Sequence, residues 1–166
     1  MPGDELAVAT VHVRSWQAAY RGIMPDAELD GLRPADRAAR YTFGATDPGS
    51  PRTVVAVDGT DPGSVLGFAT VGPARGAGVE GAGELMALYA DPDCWGRRVG
   101  LALVTDARDR LAAAGYREAV LWVLEANARG RGFYARDGWA ADGGADGFEV
   151  GGVTLPEIRL RRPLGP

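Results

Sequence analysis

Leu88-Tyr89-Ala90-Asp91-Pro92-Asp93-Cys94-Trp95-Gly96-Arg97-Arg98-Val99-Gly100, running on to Leu124, is the stretch whose reading decides the fold. The apolar run that leads into it, Leu85 to Ala90, has the length of a strand and is apolar on both faces. That predicts a strand in the interior of a sheet. Asp91-Pro92-Asp93 breaks it. The basic, glycine-containing turn from Trp95 to Gly100 then opens into an amphipathic pattern over residues 98–114. Leu103, Val104, Ala107 and Leu111 share one face, and Asp106 and Arg110 pair across one turn outside. Gly115 closes this helix, and a second strand, Ala119 to Leu124, ends at Glu125-Ala126-Asn127. The head of such a helix carries unpaired N–H groups and the positive end of the dipole, and Arg97 and Arg98 add charge. The unit therefore predicts a site for a phosphate-bearing ligand between two strands.

Outward from this unit the pattern is mixed. Asp4 is placed to cap a helix from about Glu5 to Tyr20, with Leu6, Ala9, Val13, Trp16 and Tyr20 at helical spacing, and Gly22 and Pro25 end it. A short helix over 26–32 and a further helical stretch from Pro34 to near Phe43 follow. Arg52–Val57 and Val65–Val71 read as a β-hairpin, and residues 72–83 as a mobile Gly/Ala-rich loop. After the second central strand, a helix over 128–136 stops at Gly138. Two short strands, near 139–141 and 154–160, flank a Gly-rich hairpin loop.

Composition narrows the class. A chain of 166 residues with 46% hydrophobic and 24% charged residues is the expectation for one soluble domain, spanning 1–166. The net charge of −4 argues against a nucleic-acid partner. All 18 basic residues are Arg, which with 25 Gly reads as coding bias rather than function, though Arg suits bidentate phosphate contacts. A single Cys, Cys94, fits a reducing compartment, and no apolar run is long enough to span a membrane, so a cytoplasmic location is expected.

Three motifs carry a resemblance. Trp95-Gly96-Arg97-Arg98-Val99-Gly100 occupies the frame [Gln/Arg]-x-x-Gly-x-[Gly/Ala], matching at Gly100 while Trp95 and Arg98 depart from it. Asn127-Ala128, Phe133-Tyr134 and Gly138-Trp139 form a second run, and the segment from His12 to Pro25 a third. Together they resemble the GCN5-related N-acetyltransferase family, whose members move an acetyl group from acetyl-coenzyme A to an amine. The resemblance covers nearly the whole chain. It implies an α/β (α+β) fold: a mixed, mostly antiparallel sheet with a splayed parallel pair at its centre and helices on both faces. The strand with which that family usually begins has no counterpart ahead of Asp4.

The resemblance also implies roles. Acetyl-CoA would be the cosubstrate, with no metal. Its diphosphate would lie on Trp95, Gly96, Arg97, Arg98, Val99, Gly100 and Leu101. Its pantetheine arm would pair as an added strand along Leu88, Tyr89 and Ala90. Asn127 would reach the same arm and Arg129 would contact the cofactor, although Asn127 also reads as a plain helix cap, a role compatible with the first. Tyr134 would be the general acid that protonates the departing thiolate, against the alternative of an ordinary core aromatic. Glu84 is either a partly desolvated general base or an exposed residue after the Gly-rich loop, and His12, the sole His, is the weaker base candidate. Trp16, Tyr20 and Met24 either line the acceptor pocket or belong to the core. An acyl-enzyme on Cys94 is not expected, because the motif frame implies direct attack by a primary amine of a small molecule or peptide. A homodimer is compatible with all of this. Two rivals stand: a Rossmann-type nucleotide binder, which lacks its Gly-x-Gly-x-x-Gly, and a non-catalytic CoA-binding sensor on the same fold.

Overall fold

A computed structural model describes residues 3–165 except positions 42, 45, 46, 48 and 62. In chain order the helices are α1 (Glu5–Ala19), α2 (Asp26–Gly31), α3 (Pro34–Ala38), α4 (Val99–Ala113) and α5 (Ala128–Arg136). The strands are β1 (Arg52–Val57), β2 (Val65–Pro73), β3 (Gly83–Ala90), β4 (Glu118–Leu124), β5 (Ala140–Val150) and β6 (Val153–Pro163). They form one sheet in the order β1-β2-β3-β4-β6-β5. Only β3 and β4 run parallel; every other neighbouring pair is antiparallel. This removes the Rossmann alternative, which needs successive parallel neighbours. Among the described residues none ahead of α1 is in a strand.

Each face of the sheet is covered for a reason visible in the residues. Leu103, Val104, Ala107 and Leu111 of α4 are buried with Leu85, Ala69, Val71 and Leu121, each large side chain contributing roughly 1.5–3 kcal/mol of burial. Asp106 and Arg110 pair outside at 2.6 Å. On the other face Val8 and Val11 of α1 pack on Phe68, with Ala87 and Tyr89 against them. Successive β3 residues thus serve opposite faces, and one β-bulge adjusts the phase: Thr70 pairs with Ala87 and Val71 with Leu85, which leaves Met86 between them without a partner.

The parallel pair is joined at one end only. Gly83 pairs with Ala119 and Glu84 with Val120, and no further ladder partners exist between β3 and β4. Beyond that point the strands part, as the family resemblance implies.

Four local readings change. Asp4 occupies the cap position of α1 in helical conformation without a side-chain cap bond. The stretch after Pro34 is helical only to Ala38; tight turns (Arg40 N–H to Arg37 C=O, Tyr41 N–H to Ala38 C=O) then swing Tyr41 over Phe68. The loop after β2 is pinned by Val79 and Ala82, which are buried against Val120. The Gly-rich segment after residue 141 is not a hairpin loop but most of β5, bulged between Ala141 and Ala145 and closed by the turn Gly151-Gly152, both at positive φ. Its Gly and Asp residues have poor strand propensity, and pairing with β6 overrides it.

Candidate active site

The parting of β3 and β4 opens a cleft of about 1300 Å³ that passes through the sheet. Its mouth is the head of α4. Among the described residues, the N–H groups of Arg98, Val99, Gly100 and Leu101 donate to no backbone carbonyl, whereas Ala102 N–H closes the first turn onto Arg98 C=O at 3.0 Å. Four free donors at a helix head make an anion site. Gly96 holds φ +80°, which glycine adopts without cost. Arg98 holds φ 65°, the only described non-glycine residue at positive φ. Its backbone therefore takes the left-handed shape of the motif's usual Gly, and its side chain stays exposed at the cleft. Gly67 seats this turn from below: a Cβ there would stand 2.8 Å from Tyr89 O and 3.1 Å from Val99 Cγ1.

Trp95 and Arg129 stand at the mouth together. The indole Nε1–H donates to Ala90 O at 3.0 Å. The Arg129 guanidinium lies over the indole, and burial lowers its pKa from the ordinary Arg value. Asn127 caps α5, its Oδ1 accepting from Gly130 N–H at 2.9 Å, and the residue lines the cleft. Arg97 is the one predicted site residue outside the lining; its guanidinium turns to Cys94 Sγ at 3.8 Å.

Tyr134 reaches the cleft from α5, in edge contact with Phe133 and Trp139. Burial first, then the neighbouring Tyr89, raises its pKa, so the phenol keeps its proton at any working pH. The end of α5 is locked by Asp137, which takes Trp139 Nε1–H at 2.9 Å and ion pairs from Arg108 and Arg162 at 3.5 and 3.4 Å. Tyr134 is therefore held on a rigid element.

The α1 face supplies the other half. Trp16, Tyr20 and Met24 line the cleft, and Tyr20 and Met24 are also core residues packed with Leu124. Arg14 ties α1 to the end of β3 through Asp91 (2.8 Å) and Asp93 (2.8 Å). Glu84 is half-buried at the closed end of the parted strands; burial raises its pKa, partly offset by the Arg75 N–H. His12 is buried, its Nδ1 2.8 Å from the Tyr41 hydroxyl, and burial together with the Arg37 charge pushes its pKa down to about 3. It stays neutral and is a poor base.

Several lining residues were missed from the sequence: Arg37, Trp122, Asp146, Phe148 and Glu157. Strand alternation places Leu155 and Glu157 on one face of β6, a signal that was available. Asp146 and Phe148 were hidden by reading β5 as a loop. Among the described residues, no group of three or more His, Cys, Asp or Glu is placed to hold a metal, and no helix is long and apolar enough to cross a membrane.

The chain resembles known proteins along most of its length. An N-acetyltransferase of Bacillus subtilis (strain 168), YuaI, is 30% identical over 163 residues, covering 94% of this chain and 86% of that protein. The N-acetyltransferase PaiA of Thermoplasma acidophilum, solved with coenzyme A, superposes with a TM-score of 0.71 at 17% identity over 97% of this chain and 93% of its own. A GCN5-related N-acetyltransferase of Kribbella flavida gives 0.72 at 22% identity, covering 99% and 94%. The model of the acetyltransferase (GNAT) family matches residues 13–139, motifs and parted strands included, and the chain belongs to that family of N-acetyltransferases.

Proposed function

We propose that the protein transfers the acetyl group of acetyl-CoA to a primary amine of a small molecule or peptide by direct attack. The observation that carries this reading is the single-ended joining of β3 and β4. The arm of coenzyme A has amides spaced like a short peptide, and the raw edges of Leu88–Ala90 and β4 offer it strand-like partners. The free N–H groups of Arg98 to Leu101, with Arg98 and Arg129 beside them, suit the diphosphate.

Acetyl-CoA supplies the thioester. The amine nitrogen forms a bond to the acetyl carbon, the carbon–sulfur bond breaks, the sulfur takes the Tyr134 proton, and the proton shed by the new amide nitrogen returns through water to the Tyr134 phenolate. The amine must first be neutral, and at an ordinary pKa only about one molecule in a few thousand is so at pH 7. Glu84, raised by burial, is the acceptor for that proton. Four residues of strand separate it from Leu88, roughly 13 Å, so it acts through water rather than by contact.

The test is coenzyme A release over an amine panel, with Tyr134→Phe alongside. The variant should lose about 10²-fold or more in kcat while its Kd for acetyl-CoA stays within about twofold. Unchanged turnover removes Tyr134 from the chemistry.

A further inference from the structure

The acceptor half of the cleft carries opposite charges, Arg37 and Glu157, and neither forms an ion pair among the described residues. On one wall Arg37 of α3 lies 5.6 Å from the centre of the Tyr41 ring. Its Nε is buried without a hydrogen-bond partner, and it forms no ion pair among the described residues. Its charge is felt by His12 and by Tyr89, the residue next to Leu88. Across the parted strands from β3, on β6, stands Glu157, half-buried opposite Leu124, whose side chain has no hydrogen bond or ion pair among the described residues, while Glu84 lines the cleft from β3 itself. Asp146 sits directly across from Glu157 on β5, and like charges so placed repel unless something cationic lies against them.

Charges held out of water without partners are costly, and a ligand that supplies both partners relieves both walls at once. A neutral amine would leave Arg37 unanswered. A diamine would set a second cation against the Arg37 wall. We infer that the acceptor is a small zwitterion: an amine that also carries an acidic group, taken by Arg37, with its amine end turned to the carboxylate wall. Trp16 and Phe148, in edge contact between the walls, would hold its hydrocarbon part. Carboxylate and phosphonate share the chemistry that a guanidinium recognises in a forked contact.

This rests on the acetyltransferase reading, and the experiment separates the two. Wild-type protein is assayed with amino acids, the amines left when their carboxylate is removed, the corresponding aminophosphonates, and 1,4-diaminobutane. The acidic acceptors should exceed the decarboxylated amines in kcat/KM by about tenfold or more, and the carboxylate and phosphonate arms tell which acid is preferred. Arg37→Gln should raise KM for the acidic acceptors by a similar factor, leave KM for the decarboxylated amines unchanged, and be partly rescued by Arg37→Lys. Equal or better use of decarboxylated amines or the diamine overturns the proposal, as does an Arg37→Gln effect that is the same for both series. Absence of turnover with any amine, with acetyl-CoA binding intact, overturns this acceptor class while leaving the cosubstrate site standing. Absence of acetyl-CoA binding overturns the parent reading itself.

Discussion

The guanidinium carbon of Arg129 stands 3.3 Å from the centre of the Trp95 indole ring. Trp95 belongs to the loop that leaves β3 and Arg129 to the helix that follows β4, so this contact bridges the mouth of the cleft beyond the open ends of the two strands. Trp95 stands where the family motif carries Gln or Arg, and the cation comes instead from across the gap. Arg129 has no ion pair among the described residues, so its charge is free to turn toward a phosphate.

Arg129→Ala should therefore weaken binding of coenzyme A by about tenfold, and Trp95→Ala by a similar factor, since a desolvated cation–π contact is worth about 1–2 kcal/mol. Trp95→Phe should retain most of the affinity. A double-mutant cycle read by calorimetry should return a coupling of about 1 kcal/mol. Strictly additive losses would show that the two side chains act on the ligand independently.

Arg98 yields a stability prediction. A side chain at φ 65° carries about 1–2 kcal/mol of backbone cost that glycine escapes. Arg98→Ala keeps that cost and Arg98→Gly relieves it. The glycine variant should be the more stable of the two by about 1 kcal/mol in urea unfolding, because both lack the same guanidinium. If alanine is equal or better, the turn relaxes in solution to another conformation.

His12 links stability to acid. Its pKa in the folded protein is about 3, against 6.5 for the unfolded chain. The unfolded state therefore binds the extra proton between those values, and stability falls as the pH drops below about 6.5. The His12 share of the loss between pH 6.5 and 4.5 should be about 2 kcal/mol. Denaturant melts of wild type and His12→Gln at the two pH values isolate it: the wild type should lose more, and parallel losses would mean that the imidazole is protonated in the native state.

Local patterns along the chain announced the elements that position the ligand. The apolar face of α4, Gly115 after it, and the Asn127 cap before α5 are short-range signals, and each stands where its chemistry put it. What stayed hidden depends on contacts distant in sequence. Asp146 and Gly147 have no reason to be extended until β6 pairs with them, so the carboxylate wall was out of view. Arg37 follows a proline in a five-residue helix, and nothing local aims it into the cleft. The parting of β3 from β4 leaves no trace in the periodicity of either strand; only the motifs around them pointed to it. The missing cap bond at Asp4 shows the converse, a favourable residue whose side chain the native structure does not use as predicted.

The bare backbone between β3 and β4 has a thermodynamic corollary. Polypeptide groups that face one another without bonding behave as an internal seam, and whatever closes that seam acts as a seventh, removable strand. Occupancy and folding are then two readings of one equilibrium: each tenfold rise in free cosubstrate above its Kd adds about 1.4 kcal/mol to the native state. The cell's own acetyl-donor level would thus govern how much of this polypeptide survives as well as how fast it works.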